Sequence, residues 1–293
     1  MRVIVATDGS AAAGVGVELV ARAAWPPGTS IRVVQAVEPL PLTVTGSFGM
    51  FTGVQPESPE ELEEVAAGAL ERACHRLAAK DRHVETSILR GRASTAIVDA
   101  AREVGADLVV LGSRGHGTIE AMLLGSVSAE VVDHSPVPVL VARSDRMDRI
   151  VLAWDGSAYA ARAAELLRWP IFARSSITVV SVAQPEIPWW SGFAGAGAPG
   201  IVPLYVEAAA ASRREHDRLA SAMASELQAA GLSATAELRS GDPAEELVGA
   251  ARASSADLVV LGTHGRTGLT RLVLGSVARN VLHHASCSVL ITK

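Results

Sequence analysis

The sequence predicts an α/β protein made of two tandem domains, each with a parallel sheet flanked by helices. One observation is an internal repeat, in which RVIVATDGS at 2–10 returns as RIVLAWDGS at 149–157. The segment DLVVLG at 107–112 also returns unchanged at 257–262. A repeat of this length indicates duplicated domains rather than a solenoid. The domain boundary is expected in the polar segment SDRMD, which gives domains of 1–145 and 146–293.

Both halves alternate strands and helices in the same order, which is the second observation. Each half opens with a β-branched strand and closes with an apolar one, VPVLVAR in the first half and CSVLITK in the second. Apolar strands of this kind are buried on both faces, as in a parallel sheet covered by helices. The first three helices of each half are predicted over 11–24, 58–80 and 94–104, and over 158–168, 205–230 and 243–253.

Composition disfavours several classes of function. The net charge of -5 disfavours a nucleic-acid protein, and no apolar run approaches the length of a membrane span. Lys80 and Lys293 are the only lysines, which disfavours a phosphate loop built on lysine. Cys74 and Cys287 are expected to be two buried thiols. Without a signal peptide at the N-terminus, we expect a cytoplasmic protein with no membrane or nucleic-acid partner.

Long segments follow the second strand of each half, at about 39–57 and 184–203. They contain proline, glycine and aromatic residues. Segments this long are usually functional or mobile. The sequence leaves two interpretations open, a ligand lid or partner surface and a plain mobile loop.

A glycine pattern after the fourth strand carries the main functional signal. The first half reads Gly112-x2-Gly115-x9-Gly125-Ser126, and the second half repeats it as Gly262, Gly265, Gly275 and Ser276. Glycines let the backbone approach a ligand closely, and free N–H groups at the following helix N-terminus favour an anion. The competing interpretation is a set of tight turns with the serine as an N-cap. The identical spacing in both halves favours an anion site.

A second signal lies at the end of the first strand of each half, in Asp8-Gly9-Ser10 and Asp155-Gly156-Ser157. In an open parallel sheet, ligands bind beyond the carboxyl ends of the strands at the switch point. An aspartate there can accept hydrogen bonds from a ribose or an adenine amine. The competing interpretation is an Asp-Gly turn in which the serine caps the next helix.

Together, VATDGS and LAWDGS, the two GxxGx9GS loops, and the closing HSPVPVLVAR and HASCSVLITK resemble the ATP-binding universal stress proteins, essentially from end to end. The resemblance implies Rossmann-like domains, each a five-stranded parallel sheet in the order 3-2-1-4-5. It also implies a site for ATP, with Mg²⁺, in each half. The nucleotide-binding residues implied are Asp8, Val37, Leu111, Gly112, Gly115, Gly125, Ser126 and Val127, and Asp155, Ala183, Leu261, Gly262, Gly265, Gly275, Ser276 and Val277.

Two functions remain open at this point. One is an ATP-binding regulatory protein of the stress response, and the alternative is a slow ATPase or an enzyme of the nucleotidyl-transfer type. The sequence contains no Walker GxxxxGK[ST] motif and no evident catalytic pair, which favours the regulatory protein. The apolar final strand, at a sheet edge in the implied order, predicts a homodimer. A further protein partner is left unidentified.

Overall fold

A computed structural model of the chain describes residues 1–38, 59–78, 82–113, 124–184, 201–265 and 274–293. These residues form two compact units, Met1–Asp145 and Arg146–Lys293. Both units are α/β, with parallel strands connected by helices, as predicted.

The elements of the first unit follow the predicted alternation. Its strands are β1 (Arg2–Ala6), β2 (Ser30–Val37), β3 (His83–Arg90), β4 (Leu108–Gly112) and β5 (Val139–Ala142). Its helices are α1 (Ala11–Arg22), α2 (Pro59–Ala78), α3 (Ala93–Glu103) and α4 (Ser126–His134). The strand order β3-β2-β1-β4-β5 confirms the implied order 3-2-1-4-5.

The second unit repeats this plan. Its strands are β6 (Arg149–Ala153), β7 (Ser176–Ala183), β8 (Ser233–Ser240), β9 (Leu258–Gly262) and β10 (Ser288–Thr292), in the order β8-β7-β6-β9-β10. Its α-helices are α5 (Ala158–Leu166), α6 (Ile201–Ala229), α7 (Pro243–Ala253) and α8 (Ser276–His284).

The core of each unit is the two-sided sheet. Every residue of β4 is buried, as are those of β10. Burial on both faces explains the continuous valine, leucine and isoleucine runs that mark these strands in the sequence. None of the helices in the described part of the chain combines the length and the apolar character that crossing a membrane requires.

Two expectations need correction. The segment after β7 is shorter than predicted, because α6 already begins at Ile201 rather than at 205. Cys287 is buried as expected, but Cys74 is only half-buried, since it lines an open groove between α2 and β3.

Candidate functional site

The turn between β1 and α1 is the first part of the candidate site. The backbone N–H of Ser10 donates to Asp8 Oδ1 over 3.0 Å, and Gly9 has a φ of +80°, a conformation that favours glycine. The second unit repeats the turn, with the Ser157 N–H donating to Asp155 Oδ1 over 2.9 Å. Each aspartate therefore shapes its own turn with one carboxylate oxygen.

Both serines of these turns cap the helix that follows. Ser10 Oγ accepts a hydrogen bond from the Ala13 N–H, and Ser157 Oγ accepts one from the Ala160 N–H, each over 3.2 Å. The interpretation of the two serines as N-caps is thus confirmed. A contact between either aspartate and a ligand stays a prediction.

The carboxyl ends of two neighbouring strands meet at these turns. In the register between β1 and β4, Ala6 is the partner of Leu111, so Asp8 and Gly112 emerge at the same edge of the sheet. The connections from β1 and β4 lead to opposite sides of the strand order, which makes this edge the switch point where open sheets bind ligands. The equivalent strands β6 and β9 are also parallel neighbours.

The first glycine of each pattern is required by packing. A Cβ at Gly112 would lie 2.6 Å from the backbone oxygen of Ala12, and one at Gly262 would lie 2.6 Å from Tyr159 Cβ. Such contacts are far shorter than van der Waals distances. These two glycines therefore let the first turn of α1 or α5 lie directly on the end of the strand.

A backbone hydrogen bond joins the two ends of each glycine loop. The Gly125 N–H donates to Ser113 O, and the Gly275 N–H donates to Thr263 O, each over 2.8 Å. The start of α4 or α8 is thereby held beside the strand end. Gly115 lies outside the described residues, as does the rest of 114–123.

The helices that follow the loops begin without a side-chain cap. Gly125 is the N-cap of α4 and Gly275 that of α8, and within the described part of the chain neither helix start has a side-chain cap. The interpretation of Ser126 and Ser276 as N-caps is therefore wrong. Both serines are exposed first residues of their helices, and the helix dipole leaves partial positive charge at this end.

The second unit shows how the turn and the glycine loop meet. A Cβ at Gly265 would lie 3.0 Å from Asp155 Oδ2. The loop backbone therefore runs close to the second carboxylate oxygen of Asp155, where a side chain would be crowded. The two signals found separately in the sequence belong to one site in this unit.

Comparisons with known proteins agree with this architecture. The model of the universal stress protein family matches residues 1–143 and again 147–293. The chain belongs to the universal stress protein family. A universal stress protein of Mycobacterium tuberculosis is 26% identical, over 99% of this chain and 94% of its own length. One from Mycolicibacterium smegmatis is 26% identical over 99% and 96%.

A solved structure supports the fold over the full length. The crystal structure of a universal stress protein from Archaeoglobus fulgidus has a TM-score of 0.69 to this chain at 20% identity. The match covers 100% of this chain and 98% of the other. At this identity the likeness establishes the shared fold of two universal stress protein domains.

Two more predicted site residues, Val37 and Ala183, also lie at the carboxyl edge. Val37 and Ala183 end β2 and β7, the neighbours of β1 and β6. Their carbonyls accept hydrogen bonds from the Gly91 and Gly241 N–H groups, over 3.0 and 3.3 Å. Val37 is half-buried, whereas the Ala183 side chain is buried.

Three aromatic residues in the second unit of this universal stress protein, Trp154, Tyr159 and His264, were not predicted as site residues. The rings of Tyr159 and His264 lie 5.2 Å apart, with a tilt of 48°. Trp154 Nε1 and His264 Nδ1 are buried without a hydrogen-bond partner among the described residues, which is costly unless a ligand or water supplies one. An alignment of the two halves could have identified Trp154 and Tyr159, because the first half has Thr7 and Ala12 at the equivalent positions.

Proposed function

We propose that each half of this universal stress protein binds ATP, with Mg²⁺, and that ATP occupancy sets its regulatory state in the stress response. Membership of the family supports the stress-response role. One observation carries the ATP proposal: in both units, a helix start without a side-chain cap lies beside the carboxyl ends of two central strands. Backbone N–H groups and the positive end of a helix dipole suit a phosphate at such a place.

The roles of the residues follow from their positions. The N–H groups of Ser126 and Val127 would face the phosphates in the first half, and those of Ser276 and Val277 in the second. Gly125 and Gly275 would lie beside the phosphates without donating to them, because their N–H groups already donate to Ser113 O and Thr263 O. Asp8 with Val37 and Leu111, and Asp155 with Ala183 and Leu261, would surround the adenine and ribose. The glycines at 112, 115, 262 and 265 would let the loop backbone lie close to the nucleotide.

Binding of Mg²⁺ would depend on the nucleotide. Among the described residues, no group of three or more histidine, cysteine, aspartate or glutamate side chains is arranged to hold a metal. Mg²⁺ commonly binds through substrate phosphates and one or two carboxylates. In this proposal the triphosphate carries most of the coordination, with Asp8 or Asp155 as the nearby carboxylate.

The test is direct identification of bound nucleotide. Purified full-length protein is denatured, and the released small molecules are analysed by mass spectrometry. We expect ATP, and calorimetry of the stripped, refolded chain should show that ATP binds again. A chain that refolds, as judged by circular dichroism, but shows no ATP binding would overturn the proposal. Light scattering on the same samples would test the predicted homodimer.

A further inference from the structure

A cleft of about 920 Å³ lies in the first unit, between α1, α2 and the segment that follows β5. Its size is within the range of small-molecule sites, about 300–1,000 Å³. The α1 surface that lines it carries Ala11, Gly14 and Val15, and the turn at Gly9 closes one end. A Cβ at Gly14 would meet no atom within 4 Å, so this surface is open.

The walls of the cleft are basic. Three guanidinium groups line it, those of Arg72, Arg76 and Arg143, together with two carboxylates. Both carboxylates, Glu18 and Asp145, already pair with arginine. Arg22, just outside the lining residues, lies 2.8 Å from Glu18 and 3.1 Å from Asp145, and Arg76 itself lies 3.6 Å from Glu18. With Arg22 included, four arginines face two carboxylates, so the cleft retains a net positive charge although the whole chain has a net charge of -5.

Arg72 is the guanidinium best placed to meet a ligand. No ion pair or hydrogen bond joins it to another described residue. Its Nη2 lies 3.8 Å from the position that a Cβ of Gly9 would occupy. The side chain therefore reaches from α2 across to the turn after β1. An unpaired guanidinium in this setting offers a planar fork of N–H donors that matches a phosphate.

The second unit provides an internal comparison. Gly9 lies against Ala69, and its counterpart Gly156 lies against Leu219, so positions in α2 and α6 correspond at an offset of 150. At this offset, alanine and glutamate occupy the positions of the two α2 arginines, as Ala222 and Glu226. Glu226 pairs with Arg168. The fold therefore does not require a basic wall on this helix, although Lys293 keeps a basic residue at the position equivalent to Arg143.

We propose that this cleft binds a small organic phosphate, at a site separate from the two glycine loops. The phosphate is held by Arg72, Arg76 and Arg143, and the organic part lies over the small residues of α1. The cleft meets the proposed ATP site at the turn after β1, since Gly9 and Ser10 are among its lining residues, but none of these residues belongs to the glycine patterns.

A residue-resolved protection experiment tests the proposal. Full-length protein is treated with phenylglyoxal, which modifies arginine, with and without millimolar ribose 5-phosphate, and each arginine is followed by peptide mass spectrometry. We expect ribose 5-phosphate to slow modification of Arg72 and Arg143 several-fold. Arg102, which pairs with Asp99 on α3, should react at the same rate in both samples. Equal rates at Arg72 and Arg143 with and without the probe would overturn the proposal.

Substitutions at the cleft arginines provide a second test. In R72A/R76A, protection of Arg143 should require about tenfold more ribose 5-phosphate, equivalent to about 1.4 kcal/mol of binding free energy. The control R102A, which removes one charge outside the cleft, should behave as wild type. If the double variant unfolds, R72Q replaces it, because glutamine keeps part of the aliphatic stem and a polar end without the charge. Unchanged protection of Arg143 in a folded variant would contradict the proposed site.

Discussion

Gly112 and Ala12 are in such close contact that only glycine fits at position 112, since a Cβ there would lie 2.6 Å from the Ala12 carbonyl oxygen. The contact presses the first turn of α1 onto the end of β4. The glycine that opens the predicted phosphate pattern therefore has a structural function of its own. Its presence in the sequence cannot serve as evidence for a ligand, whereas the uncapped starts of α4 and α8 can.

Gly112→Ala should destabilise the first unit whether or not ATP is present. Backbone atoms cannot move away cheaply, so we expect a loss of about 1–3 kcal/mol, typical of overpacking. Gly14→Ala is the matched control, because a Cβ at Gly14 meets nothing within 4 Å and alanine favours a helix interior by about 1 kcal/mol. Calorimetric melting of both variants checks this. Equal melting temperatures for the two would show that the close contact is not rigid.

A comparison of Asp8→Ala with Asp8→Asn should distinguish the role of Asp8 in its turn from its role in binding ATP. Asparagine retains an oxygen that can accept the Ser10 N–H, whereas alanine loses that 3.0 Å bond. We expect only Asp8→Ala to lower the melting temperature. Both should weaken ATP binding about two- to tenfold, as for one lost hydrogen bond of about 0.5–1.5 kcal/mol. Wild-type ATP affinity in Asp8→Asn would limit Asp8 to its structural role.

Ser128→Ala should cost the first unit about 1 kcal/mol. Ser128 Oγ donates a buried hydrogen bond of 2.8 Å to Gly112 O, and the substitution leaves that carbonyl without its donor. The second unit has Ala278 at the equivalent position, so its own loop is stable without this bond. Chemical denaturation followed by hydrogen exchange of each unit measures the effect. A loss of stability in the second unit rather than in the first would contradict this role of Ser128.

Acid should weaken the contact between α3 and α4 through Glu130. A hydrogen bond from Ser94, followed by the charge of Arg92, lowers the pKa of Glu130. A lowered pKa in the folded state stabilises the protein above the unfolded pKa, and this contribution is lost as the pH falls below about 4. Glu130→Gln should therefore melt below wild type at pH 7, with the difference shrinking in acid. A difference that is constant from pH 7 to 3 would rule out this origin.

The sequence predicted what depends on local pattern and repetition. Burial on both faces marked strands such as β4, and the Asp-Gly-Ser order marked the caps at Ser10 and Ser157. Contacts between residues far apart in sequence left no such pattern. The approach of Gly112 to Ala12 and the reach of Arg72 to Gly9 depend on how helices lie on the sheet, which no local signal encodes. His264 was visible in the sequence, but the burial of its Nδ1 without a hydrogen-bond partner among the described residues was not.

The helix starts offer the most direct test of ATP binding. A side chain at Gly275 would lie 2.8 Å from Thr263 O and distort the loop, so substitutions at the exposed residues Ser126 and Ser276 are cleaner. Aspartate there stabilises a helix N-terminus by about 0.3–1 kcal/mol and repels a triphosphate at short range. Ser126→Asn and Ser276→Asn are the uncharged controls.

The decisive measurement is the number of ATP molecules bound per nucleotide-free chain, obtained by titration calorimetry with Mg²⁺ present. We expect two for wild type and for the asparagine controls, one for Ser126→Asp or Ser276→Asp, and none for the double aspartate variant. Melting temperatures at or above wild type for the aspartate variants would show that folding is intact. Two molecules of ATP bound to the folded double aspartate variant would contradict phosphate binding at the starts of α4 and α8.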